Sequence, residues 1–238
     1  MEINSVKDDA SELKRKKEEE KEEEEEQTEN EQENEQENDN NSVTSTNKNK
    51  EKKGYDKTIE EIKKENSNSY ISKISEPLLK KKYYKYLLKI IDYTYHAKIN
   101  ATHIIKTNEQ IDDKKKKILK TKFLIIGLSQ VIKAIRRGIK GILILAIDVF
   151  PIDIICHMPV FCEENNIPYT FFTTKNKLAH LCKLKRSITC LFICKPNNDL
   201  TEFENTLNKY STKHKISNYN KAYDKLQTAI KKNHPFFQ

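Results

Sequence analysis

From Glu76 to Lys98 the chain reads "EPLLKKKYYKYLLKIIDYTYHAK". Its apolar positions Leu79, Tyr83, Leu87, Ile90 and Thr94 return at helical spacing. Pro77 suits the first turn of a helix, where its missing N–H has no intrahelical partner to lose, so a helix is expected from about Glu76. Residues 97–120, ending in "DDKKKKILK", are too densely charged to be assigned a state. The texture then changes. "KFLII" (122–126) reads as a short strand ending at Gly127, and "LSQVIKAIRRG" (128–138) as a helix. Leu128, Val131, Ile132 and Ile135 lie on one face of that helix, and Gly138 stops it. "GILILAI" (141–147) is a near-continuous apolar run, the mark of a strand covered on both faces. Pro151 is expected to open the next helix, "PYTFF" (168–172) to form a strand and "KNKLAHLC" (175–182) a short helix. "ITCLFIC" (188–194) is a last central strand, and "NKAYDKLQTAI" (220–230) a closing amphipathic helix.

Four strands alternating with helices predict an α/β fold, a three-layer α/β/α sandwich around a mixed four-stranded sheet. Of the four glycines, Gly127, Gly138 and Gly141 fall where short turns must join a strand, a helix and the next strand. Residues 1–69 look different. "EEEKEEEEEQTENEQENEQENDNNS" has almost no apolar side chain with which to offset the entropy of folding, so 1–69 is expected to be a disordered acidic tail. The domain is expected over 70–238, with its core at 122–195 and flanking helices on both sides.

Charge divides along the same line. Residues 1–53 hold 19 acidic and 10 basic side chains, leaving 34 basic and 17 acidic for the remainder. A body so basic attracts polyanions, because binding releases counterions condensed on phosphates. A lysine surface kept for solvation has the same composition, so charge alone does not choose between them. The longest apolar run, "ILILAI" (142–147), is far short of the ~18 residues of a membrane span. The opening "MEINSVKDDASELKRKK" has no apolar core, so no secretory signal is expected. The five cysteines are odd in number and include no CxxC pair, which suggests reduced thiols in an intracellular compartment. The clusters "KRKK" (14–17) and "KKKK" (114–117) are compatible with nuclear import.

The stretch "ICHMPVFCEENN" (155–166) invites a metal or thiol–imidazole reading. On a helix at about 100° per residue, Cys156 and Cys162 stand roughly 120° apart, and Cys162 roughly 140° from His157. They do not converge on a metal or form a dyad. The stretch is expected instead to pack Ile154, Ile155, Met158, Val160, Phe161 and Cys162 under the sheet, with His157 hydrogen-bonded and Pro159 breaking or kinking the helix. No GxxxxGK[ST], GxGxxG or GxSxG occurs. No pair of catalytic carboxylates stands out, and no cofactor is expected. The polar face of helix 128–138 is more informative: Ser129, Gln130, Lys133, Arg136 and Arg137 stand opposite its apolar stripe. Free backbone N–H groups around Gly127–Gln130 would suit a phosphate there.

The ordered set Gly127, Arg137-Gly138, Ala146, Asp148, Pro151, His157, Pro159, Cys162-Glu163, Ile167-Pro168-Tyr169 and Lys175 resembles the L7Ae-type kink-turn RNA-binding family over 127–193. The flanks "EPLLKKKYYKYLLKIIDYTYHAK" and "NKAYDKLQTAI" resemble those of the family's eukaryotic H/ACA branch, although 97–120 exceeds the usual connection. The resemblance implies RNA binding without catalysis. The partners implied are box H/ACA small nucleolar RNA and the other H/ACA core subunits, including the pseudouridine synthase. Support of rRNA pseudouridylation and ribosome biogenesis in the nucleolus would follow. Alternatives are a box C/D or spliceosomal small-RNA paralogue, or a protein-interaction module whose RNA face has decayed. Carried onto this chain, Gly127, Ser129, Gln130 and Lys133 would face sheared G·A pairs and adjacent phosphates. Ile154 would support an extruded base. Lys175, Lys185 and Arg186 would meet the backbone, with 182–188 as a capping loop, and Arg137 would add a cation. Ile126, Ser129 and Gln130 depart from the family's usual Arg/Lys, Asn/Lys and Glu, and Ala179 and Lys183 replace capping-loop glycines. Weaker and less motif-selective binding is therefore expected, with charge carrying more of the affinity.

Overall fold

The computed structural model describes residues 45–107, 112–210 and 219–237. Residues from Tyr55 onward form one compact unit. Of the segment before it, only the backbone of 45–54 is described, as the start of helix α1 (Ser45–Asn68); the disorder expected for 1–44 lies outside the described residues.

Residues 55–68, assigned above to the acidic tail, instead belong to the domain. Ile62 is fully buried, and Tyr55 and Ile59 pack against the same core. These three side chains, spaced one turn apart, give α1 an apolar stripe. Burying Ile62 alone contributes roughly 1.5–3 kcal/mol. After α1 the chain runs extended along the outer edge of the sheet. Leu79 N donates to Phe171 O at 2.8 Å, and Phe171 N to Pro77 O at 2.9 Å. The helix expected from Glu76 therefore starts later, as a 3-10 turn at Lys81–Tyr83 followed by α2 (Tyr84–Thr107). Proline disfavours helical backbone at the preceding residue, and the sheet edge takes the backbone groups that a helix would have used.

The charged insertion is largely helical: α2 runs on to Thr107, and α3 (Asp113–Leu119) follows. The strands are β1 (Leu124–Ile126), β2 (Gly141–Leu145), β3 (Tyr169–Phe171) and β4 (Cys190–Cys194), in spatial order β1-β4-β2-β3. β4 runs antiparallel to β1 and β2, and β2 parallel to β3, which makes the sheet mixed. Every residue of β2 and β4 is buried, as strands covered on both faces must be. Helices α4 (Leu128–Arg136), α5 (His157–Glu164) and α6 (Lys175–Leu181) connect the strands. Helices α7 (Asn198–Tyr210) and α8 (Tyr219–Asn233) follow β4, and α8 packs along α2. α7 was not anticipated, although Leu200, Phe203 and Leu207 recur at helical spacing and are buried. Phe203 packs edge-on against Phe123, with ring centroids 5.1 Å apart.

Pro151 opens only the 3-10 turn Ile152–Ile154, and α5 begins at His157. Pro159 then falls in the first turn of α5, where its missing N–H costs no intrahelical bond, so the expected break does not occur.

Candidate nucleic-acid interface

The strand register collects one set of loops. Ile126 sits opposite Leu191, and Leu145 lies opposite both Cys190 and Phe171. The carboxyl ends of β1, β2 and β3 and the amino end of β4 therefore share one end of the sheet, the place where open α/β sheets bind ligands. Three bonds join the segments there: Gly127 N to Cys190 O at 3.2 Å, Ala146 N to Thr189 O at 2.9 Å and Ile188 N to Lys175 O at 3.1 Å. Gly127, Ser129, Gln130, Ile154, Lys175, Lys185 and Arg186, widely spaced in sequence, are brought to this end.

Gly127 enters α4 at φ +92°, a left-handed conformation that side-chain-bearing residues rarely adopt. Its carbonyl accepts from Gln130 N at 3.1 Å and Val131 N at 3.0 Å. The free donors expected across Gly127–Gln130 thus reduce to the N–H groups of Leu128 and Ser129, since Gly127 N and Gln130 N are committed. Ser129, Gln130 and Lys133 are exposed on the polar face, and Lys133 lies about 7.5 Å along the helix from Leu128. Arg137 does not join them. It follows α4 roughly 13.5 Å from Leu128, beside the Gly138 turn that leads to the start of β2 at the opposite end of the sheet. A helical wheel puts Arg137 on the same face but ignores distance along the axis.

Lys175 is half-buried, and its backbone N–H donates to Asp148 Oδ1 at 2.6 Å, which explains the aspartate of the Ala146–Asp148–Pro151 pattern. Lys185 and Arg186 are exposed in the loop before β4. Lys183 in that loop holds φ +54°, where a glycine would avoid a cost of about 1–2 kcal/mol. Among the described residues none of Lys133, Lys175, Lys185 and Arg186 is paired with a carboxylate; Lys133, Lys185 and Arg186 are exposed and Lys175 is half-buried. Apolar surface accompanies them. Ile154 is 38% exposed, and Phe150, which the sequence reading passed over, is 77% exposed. The available signal for Phe150 was an aromatic residue placed directly before a proline, in the loop leaving the central strand.

The "ICHMPVFCEENN" stretch divides cleanly. Ile155, Met158 and Cys162 are buried as expected, whereas Ile154, Val160 and His157 are exposed. His157 is thus a surface side chain at the first position of α5 and not a packed one. Cys156 is exposed, and the other four cysteines are buried. Burial pushes the Cys162, Cys182 and Cys194 thiols up to about 12 and Cys190 up to about 11. A thiol-specific reagent at pH 8 should therefore label one cysteine rapidly in the folded protein, and Cys156→Ser should abolish that phase. Rapid labelling of two or more thiols would contradict this burial. Among the described residues no group of three His, Cys, Asp or Glu side chains is placed to hold a metal ion.

A family model described as "Ribosomal protein L7Ae/L30e/S12e/Gadd45 family" matches residues 109–204. Similar proteins include the H/ACA ribonucleoprotein complex subunit nhp2 of Schizosaccharomyces pombe, 43% identical over 74 residues, which covers 31% of this chain and 48% of the relative. The H/ACA ribonucleoprotein complex subunit 2-like protein of Xenopus laevis is 32% identical over 134 residues, covering 56% and 73%. The H/ACA ribonucleoprotein complex subunit 2 of Bos taurus is 40% identical over 87 residues, covering 37% and 56%. The chain thus spans between about half and three quarters of the length of these relatives.

Proposed function

Because the chain belongs to the ribosomal protein L7Ae/L30e/S12e/Gadd45 family, we propose that it is a non-catalytic RNA-binding subunit of an H/ACA ribonucleoprotein. Its partners in this reading are a box H/ACA small nucleolar RNA and the other core subunits, among them the pseudouridine synthase, in the nucleolus. One observation supports the binding mode above others. Lys175, Lys185 and Arg186, none paired with a carboxylate among the described residues, share one end of the sheet with the exposed apolar groups Phe150 and Ile154, and the equally unpaired Lys133 stands about 7.5 Å along α4 from Leu128. Cations meet phosphates and raise affinity for any RNA, whereas an apolar platform favours bases that have left the stack. A bent RNA with an extruded base offers both. Ser129 and Gln130 are the polar groups nearest the Gly127 turn and would face the base edges. Gln130 accepts only through its amide oxygen, which limits the selectivity that it provides.

Phe150 gives this reading an internal check. Phe150→Ala should weaken kink-turn binding several-fold, within the roughly 1–3 kcal/mol typical of base–aromatic stacking. The dependence on salt should be unchanged, because no cation is lost. Unchanged affinity across the whole salt series would remove Phe150 from the interface. The assembly itself is tested by isolating the tagged full-length protein from its native cell and sequencing the RNA that accompanies it. Enrichment of box H/ACA RNAs is expected. Recovery of box C/D RNAs without them would replace the H/ACA assignment by the paralogue, and recovery of no RNA class would favour a protein-interaction module.

A further inference from the structure

Lys175 opens α6 directly after the turn from β3, and that turn is gripped by a helix outside the family-matched region. Asn66, near the end of α1, uses both polar atoms of its amide: Nδ2 donates to the Phe172 carbonyl at 2.9 Å, and Oδ1 accepts from Thr173 Oγ1 at 2.9 Å. Glu65 Oε2 accepts from Thr174 Oγ1 at 3.4 Å. Beyond Lys175, the Lys177 ammonium donates to Glu61 Oε2 at 2.7 Å and lies 3.7 Å from Glu65 Oε1, with only 7% of its side chain exposed. That ammonium holds the Glu61 carboxyl below its usual range. Residues 172, 173, 174 and 177 are therefore each tied to α1, while Lys175 between them is unpaired.

The other supports of Lys175 are backbone bonds, from its N–H to Asp148 and to its carbonyl from Ile188. They fix where the residue sits. The path of the chain into it runs through Phe172 and Thr173, which backbone bonds to Leu145 and Ile147 hold on the sheet side and Asn66 holds on the α1 side. Without Asn66 the Phe172 carbonyl has no other hydrogen-bond partner among the described residues, and a buried polar group left unpaired drives local rearrangement.

We propose that Asn66 is a positioning residue for RNA binding: by fixing Phe172 and Thr173 it aims Lys175 at the RNA backbone. The RNA-binding unit then begins at α1 and not at the family core. This rests on the assignment of Lys175 to the RNA face.

A double-mutant cycle in the full-length chain separates the two ideas, using Asn66→Ala and Lys175→Ala with a kink-turn RNA across a salt series. In the otherwise unaltered protein Lys175→Ala should lower affinity several-fold and reduce the log–log salt slope by about 0.9. In the Asn66→Ala background the same substitution should change affinity by less than about two-fold, because the lysine no longer faces its phosphate. Asn66→Ser withdraws the amide donor to Phe172 with a smaller loss of polarity and no added charge, so it should give a similar loss of coupling. It carries the cycle if the alanine variant lacks a folded thermal transition. Leu226→Ala, which loosens the core on α8, should lower the melting temperature yet leave the effect of Lys175→Ala intact. An equal cost of Lys175→Ala in both backgrounds overturns the positioning role of Asn66. A silent Lys175→Ala in the parent protein instead removes Lys175 from the RNA face, and the proposal with it.

Discussion

Replacing Lys133 and Lys175 together by alanine is expected to weaken kink-turn RNA binding by roughly thirty-fold near physiological salt. Each phosphate neutralised adds about 0.9 to the slope of log affinity against log salt, which is about a five-fold contribution per cation near 0.15 M. Both lysines lack a carboxylate partner among the described residues; Lys175 stands at the sheet end where Gly127, Ile154 and Arg186 gather, and Lys133 on the exposed face of α4 about 7.5 Å from Leu128. The two losses should be close to additive, since one cation rides on α4 and the other at the start of α6. A plain duplex should lose affinity too, with a similar change of slope. Slopes unchanged by both substitutions would place the RNA on another face of the domain.

Gly141→Ala should be the most damaging single change to the fold, costing upwards of about 3 kcal/mol and lowering the melting temperature by about 10 °C or more. Gly141 starts β2 opposite Cys194 of β4. A methyl group there would press into the Ile193 carbonyl oxygen and meet two carbons of the Phe192 ring at 2.8 Å. Neither neighbour can yield easily, because one is backbone of the central strand and the other is a fully buried ring. Gly127→Ala is a different experiment. Nothing crowds a methyl group at that position, and its cost arises from the left-handed φ of +92°. Thermal unfolding followed by circular dichroism distinguishes the two, and a Gly141→Ala protein as stable as the parent would mean that β2 and β4 are less closely pressed than described.

These two glycines illustrate what the sequence made legible. Both were read as turn residues, which is correct for Gly127. The need at Gly141 arises from β4, whose Phe192 and Ile193 lie 51 and 52 positions away in sequence, so local pattern did not reveal it. The alternation of elements was legible because "GILILAI" and "ITCLFIC" are apolar without a break, a pattern that only doubly covered strands sustain. Helix α1 was lost because its three apolar side chains sit among charged neighbours, so average composition hid the stripe that contains Ile62. For Arg137 the angular position was legible, but its distance of roughly 13.5 Å along the helix axis from Leu128 was not. The bonds of Asn66 to Phe172 and Thr173, and of Glu61 to Lys177, span more than a hundred residues of sequence, and no periodicity encodes such pairs.

The central claim is that this end of the sheet recognises the shape of a bent RNA and not merely its charge. Titrating the full-length protein with a kink-turn RNA and a plain duplex of equal phosphate number, across a salt series, tests it most directly. Both affinities should fall with similar slopes as salt rises, because the same cations meet phosphates in each. The kink-turn RNA should remain the tighter ligand at every salt concentration, since stacking on Phe150 and Ile154 does not release counterions. Equal affinity for the two RNAs throughout the series would contradict the account.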